Sequence, residues 1–199
     1  MKKTDKLKKI TSSTKKNKLF DTKLARKLNV SNSSLAYYAK KGDLERVGRG
    51  LYKIKNTSLI SDFQWEDLVE ASVKVKGGVV CLISALALYE ITEEIPRAHW
   101  IAIPNTSRHR GDDSIRIFRY RNMKLGKTVY DFGDFKLPIF DRERTIIDAF
   151  RLLDKEVAIK ALRMGLRKKG EARLDLEKLK EYAKILRVRI EPYILAETT

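Results

Sequence analysis

The sequence predicts an α+β fold in which a basic N-terminal winged helix-turn-helix (residues 1–56) is followed by a mixed α/β domain (residues 57–199). Three observations lead there. Residues 1–55 hold 17 Lys and Arg against 4 Asp and Glu, whereas the rest of the chain holds 26 against 22. Inside that basic stretch, two short helical patterns are followed by a strand pair broken by glycines. Beyond it, helical apolar runs alternate with short β-branched and aromatic runs.

Each element has a local reason. Residues 1–18 are rich in Lys, Ser and Thr and read as an arm or a first helix over roughly 5–17. Asp21 or Thr22 can cap a helix through Leu28, with Leu24, Ala25 and Leu28 on one face. Asn29-Val30 makes a turn. Ser31 suits the N-cap of a second helix running to Lys41, and Gly42 suits its C-terminal stop. Residues 44–47 and 51–54 read as two strands around Gly48-Arg49-Gly50. Residues 55–58 read as a linker. Helices are expected over 63–75 and 79–91, separated by Gly77-Gly78. Strands are expected over 100–103, 115–120, 128–132 and 135–140. Asp141 can cap a helix over 142–153, and further helices are expected over 156–168 and 175–187.

Net charge of +17 favours a polyanionic partner. A membrane partner fits poorly, because the longest apolar run, 79–91, contains Ser84 and Glu90 and is too short to span a bilayer. The basic N-terminus has no apolar core of a secretory signal. A single cysteine, Cys81, excludes a disulfide framework, reads as a core residue and suits the cytoplasm.

The basic module has the parts of a DNA reading head. A major groove admits one helix with an apolar inner face and a polar outer face. In the second helix Leu35, Tyr38 and Ala39 form the inner face. Ser31, Asn32, Ser33, Ser34, Tyr37, Lys40 and Lys41 remain for base edges and phosphates. The strand pair serves as a wing with Arg49 at its tip, suited to the backbone or the minor groove. Arg46 and Lys53 flank it, and Tyr52 either packs beneath it or reaches a phosphate.

These residues resemble the AbiEi family, the antitoxin and autorepressor half of type IV toxin–antitoxin systems. The N-terminal likeness lies in Lys23-Leu24-Ala25, Val30-Ser31, Leu35, Lys41-Gly42-Asp43-Leu44 and Val47-Gly48-Arg49-Gly50-Leu51-Tyr52. The C-terminal likeness lies in Ser84-Ala85-Leu86-Ala87-Leu88-Tyr89-Glu90-Ile91, Ile95-Pro96, Trp100-Ile101-Ala102-Ile103-Pro104 and Asp141-Arg142-Glu143-Arg144-Thr145-Ile146-Ile147-Asp148. It covers roughly 20–190. The resemblance implies a repressor of its own promoter, bound at inverted repeats in double-stranded DNA. It also implies a C-terminal domain that counters a nucleotidyltransferase toxin, with or without a stable complex.

No enzyme signature stands out, and no cofactor is implied. Gly126-Lys127-Thr128 imitates the end of a phosphate-binding loop, but the upstream glycine falls at Arg121. His99 and His109 are the only histidines, without ligand spacing. Asp134 and Lys136 have the spacing of a metal-dependent nuclease, with Asp112 or Asp113 as the needed second acid. That reading is weaker than a hairpin turn at Gly133-Asp134. Asp141 and Asp148 read as caps or solvent-facing groups, or Asp148 pairs with Arg144. Lys160, Arg163 and Arg167 share one helix face and form a candidate second anion or partner surface. A ligand-sensing or dimerising C-terminal domain is the main alternative function.

Overall fold

A computed structural model of the chain describes residues 19–133 and 135–198. The arm or helix expected over 5–17 lies outside the described residues, as does Asp134. The chain divides into two compact units, one comprising residues up to 76 with 131–136, the other 77–130 with 137–199.

The first unit contains β1 (Leu19–Asp21), α1 (Thr22–Lys27), α2 (Asn32–Lys41), β2 (Leu44–Gly48), β3 (Leu51–Ile54) and α3 (Glu66–Lys74). Local chemistry sets most of the boundaries. The Asp21 carboxylate accepts from the Leu24 N–H at 2.8 Å and starts α1. Asn29, at φ 59°, turns the chain in the left-handed region that Asn tolerates. Ser31 caps α2 by accepting from Ser34 N–H, and Gly42 ends it at φ 84°. β3 lies between β1 and β2, antiparallel to both, with a register shift between Arg46 and Gly48. Phe20, Ala25, Val30, Leu35, Tyr38, Leu44 and Tyr52 form the core. β1 was absent from the sequence expectation, since three residues are too few to show a period.

The expected linker at 55–58 does not end this unit. Leu59 and Ile60 are buried, and α3 brings Glu66 and Glu70 to Lys53 of β3. The spatial grouping therefore runs to residue 76, past the boundary expected at 56.

The second unit contains β4 (Val79–Val80), α4 (Leu82–Leu88), β5 (His99–Pro104), β6 (Ile115–Tyr120), α5 (Arg142–Leu152), α6 (Lys155–Arg167), α7 (Leu176–Leu186) and α8 (Glu191–Thr198). Two more strands, β7 (Lys127–Asp131) and β8 (Lys136–Phe140), complete a sheet of order β6-β5-β4-β8-β7. β4 is antiparallel to β5 and parallel to β8, and β5 is parallel to β6. The helix expected over 79–91 is a strand followed by a shorter helix. A continuous apolar run has no period to separate a buried strand from a buried helix. Here Cys81 N–H donates to Trp100 O at 3.0 Å and holds the start of the run against β5. Cys81 is buried in the core, where desolvation pushes its thiol pKa up. α8 was not foreseen, and its Ile194 is buried with Ile190 against α6 and α5 residues.

Asp141 caps α5, accepting from Arg144 N–H at 2.8 Å. Asp148 does not face solvent. It is buried and accepts from Arg144 Nε at 2.7 Å and Arg151 Nη1 at 2.6 Å. Burial raises the Asp148 pKa, and the two arginines oppose that rise.

Candidate nucleic-acid interface

α2 separates its side chains cleanly. Leu35 and Tyr38 are buried and Ala39 is half-buried, while Asn32, Ser33, Tyr37, Lys40 and Lys41 are exposed. At about 100° per residue, the exposed set spans roughly half the helix circumference, opposite the buried one. Ser31 is exposed beside it, and Ser34 is half-buried at its margin.

The start of the helix is ordered by its own hydroxyls. The Ser31 hydroxyl lies 2.8 Å from that of Ser33 and 2.9 Å from that of Ser34. A hydroxyl both donates and accepts, so these groups retain capacity for an outside partner. The Tyr37 ring stands edge-on to the buried Tyr38, with centroids 5.6 Å apart. Lys41 pairs with Asp43 at 3.2 Å, and that hydrogen bond and charge raise its pKa.

The β2–β3 hairpin presents Arg49 at its exposed tip. Gly50, at φ 74°, makes the turn, and its carbonyl accepts from Thr22 N–H at 3.0 Å, tying the tip to the start of α1. Arg46 is exposed and donates to Gly48 O at 3.3 Å. Tyr52 is buried and stacks on Phe20 at 6.0 Å, so it packs beneath the hairpin.

Lys53 leaves the set of expected DNA contacts. It is 7% exposed and pairs with Glu70, with Glu45 at 3.5 Å and with Glu66 at 3.6 Å. Three carboxylates around one ammonium make it an internal strut. It was expected to flank the wing tip, but α3 covers its face of β3 with Glu66 and Glu70. In the other direction, α1 adds Lys23, Arg26 and Lys27, all exposed. Their signal in the sequence was their position off the apolar stripe of α1.

The remaining expected sites are not assembled in the same way. On α6, Lys160 pairs with Glu156 at 2.9 Å, and Arg163 grips Glu197 with two bonds of 2.7 and 2.8 Å. Arg167 is exposed nearby and adds to the positive field at Glu197. Two of the three charges are thus balanced locally. Asp112 accepts from the Ser114 N–H and hydroxyl in a turn. Lys136 is exposed, 3.9 Å from Asp131. Among the described residues, no three His, Cys, Asp or Glu side chains converge to hold a metal. His99 is half-buried on β5, and His109 is exposed. Among the described residues, no helix is long and apolar enough to cross a membrane.

The fold is shared with a solved structure, that of the RV2827C protein from Mycobacterium tuberculosis. The TM-score is 0.57 at 12% identity, covering 90% of this chain and 71% of that one. No curated protein matches the sequence. Residues 12–54 match the family model described as a transcriptional regulator, AbiEi antitoxin. That match covers β1 to β3 and agrees with the resemblance of the N-terminal motifs, so that over this basic front segment the chain is similar to the AbiEi antitoxin transcriptional regulators.

Proposed function

We propose that this chain is a DNA-binding autorepressor and antitoxin, acting in the cytoplasm against a nucleotidyltransferase toxin. In this reading α1, the Asn29 turn, α2 and the β2–β3 hairpin are a winged helix-turn-helix. The first unit, which runs to residue 76, carries operator binding, and the second unit carries toxin neutralisation. The observation behind it is the division of α2 into a core face and an exposed polar face, within a segment of excess positive charge.

The roles follow from the chemistry of each group. Asn32, Ser33 and Tyr37 meet base edges in the major groove, with Ser31 and Ser34 at the margin. Lys40, Lys41 and Arg46 meet phosphates, and Arg49 enters the minor groove or grips the backbone beside it. Exposed Arg26 and Lys27, in the last turn of α1, add phosphate contacts where a first helix crosses the backbone. The operator is a pair of inverted repeats in the chain's own promoter.

The test is promoter affinity as a function of salt. With about six phosphate contacts, log affinity falls against log salt with a slope of about −5. Lys40→Glu flattens that slope by about one or more, equally on promoter and scrambled DNA. Tyr37→Ala instead narrows the difference between the two DNAs. A slope near zero for the wild-type chain overturns the reading.

A further inference from the structure

The second unit carries a cavity with an unusual charge. It has a volume of about 460 Å³ and is lined by Phe118, Tyr120, Asn122, Leu152, Ile185 and Leu186, together with five arginines. Those arginines are Arg119, Arg121, Arg144, Arg151 and Arg187. No carboxylate lines it. Asp148, which is buried, pairs with two of the lining residues, Arg144 and Arg151.

Magnitudes decide the sign of the field. Asp148 offsets one of the five positive charges. α5 and α7 end here, and each C-terminus adds roughly half a negative charge at most. The cavity therefore stays near +3. Arg144 and Arg151 are committed to Asp148, and Arg119 donates to His109 O at 3.0 Å. Arg121 and Arg187 are exposed and make no ion pair among the described residues.

A second cavity of about 700 Å³ shares Arg151, Leu186 and Arg187 with the first. It adds Lys155 and Arg189, and its walls include Phe150 and Tyr193. Those two rings lie 5.0 Å apart with Lys155 over both. Exposed arginine forks beside the half-buried Tyr193 ring match a phosphate chain joined to a planar base.

We propose that the second unit binds a small polyphosphate ligand of the nucleoside di- or triphosphate class in this arginine-lined cavity. Arg121 and Arg187 hold the phosphates, and the base lies toward Phe150 and Tyr193. The concave form and the volume, within the usual range for small-molecule sites, favour a small ligand over a nucleic-acid strand. The proposal stands apart from the DNA-binding reading, since none of these residues belongs to the α2 surface.

The experiment is calorimetric titration of the full-length chain with ATP, pyrophosphate and adenosine, at constant ionic strength and without DNA. One ATP per chain is expected to bind saturably, with pyrophosphate weaker and adenosine silent. Arg121→Glu with Arg187→Glu weakens ATP binding by about tenfold or more, the effect of lost charge-assisted bonds. Arg97→Glu, an exposed reversal outside both cavities, leaves it unchanged. Arg121→Ala serves if the double variant melts early, and still weakens binding severalfold. No saturable heat at millimolar ATP overturns the proposal, as does equal weakening by Arg97→Glu. Tighter binding of a single-stranded oligonucleotide, lost in the same variants, also overturns it.

Discussion

At the scale of single residues, burial and partners outweigh charge type. Lys40 and Lys53 are both lysines of the basic segment, yet one is exposed and the other lies among Glu45, Glu66 and Glu70. Lys53→Met therefore lowers the stability of the chain by about 3 kcal/mol, because it strands partly buried carboxylates. Lys40→Met leaves stability within about 0.5 kcal/mol, as expected of an exposed substitution. Chemical denaturation checks both. Burial pulls the Lys53 pKa down, but Glu70, Glu45 and Glu66 more than restore it, so it sits above its ordinary 10.5. A cation with a raised folded pKa stabilises fully below its ordinary value and loses that contribution as pH climbs through the folded one. The stability gap between wild type and Lys53→Met is thus constant near neutrality and closes only in strong alkali. Gly126 makes a similar point about local patterns. It opens the Gly126-Lys127-Thr128 imitation of a phosphate loop, while its actual place is a left-handed turn at φ 67° against the Arg144 Cβ.

At the scale of elements, caps and contacts decide what forms. α2 is marked at both ends, by Ser31 and Gly42. Replacing Ser31 by Ala removes the acceptor for Ser34 N–H and the hydroxyl that Ser33 and Ser34 face. The expected loss is about 1 kcal/mol of stability. Promoter affinity falls as well, because the first turn of α2 is then less ordered. Ser31→Asp keeps the cap and restores stability, but its negative charge does not restore affinity for phosphate-rich DNA. Thermal melts and promoter titrations of the two variants separate capping from contact. The opposite case is the run 79–91. It is apolar throughout, so only its pairing with β5 and β8 distinguishes a strand at Val79–Val80 from the helix after Cys81.

At the scale of the whole molecule, charge and core are unevenly shared. Residues 1–55 hold most of the excess positive charge, whereas the larger hydrophobic core belongs to α4 to α8. This division predicts separable phenotypes. Lys40→Glu with Lys41→Glu abolishes repression of a promoter reporter. Under the proposed function, the same variant still rescues growth when a nucleotidyltransferase toxin of the proposed class is co-expressed, provided protein levels are matched. Loss of rescue together with repression would instead place neutralisation on the exposed face of α2.

What the linear chain determined by itself was whatever depends on near neighbours. The caps at Asp21, Ser31 and Asp141, the Gly42 stop, the two faces of α2 and the Arg49 tip are all local, and each was readable from residue type and spacing. The family resemblance also rests on such short ordered motifs. Tertiary structure decided the rest. It placed Lys53 under α3, seated Asp148 between two arginines, split the run 79–91 and drew five arginines from β6, α5 and the residues just after β6 and α7 to one cavity. The physical reason is that burial and long-range pairing depend on which elements meet. Arg121 and Arg187 are 66 residues apart in the sequence and carry no local sign that they line the same space.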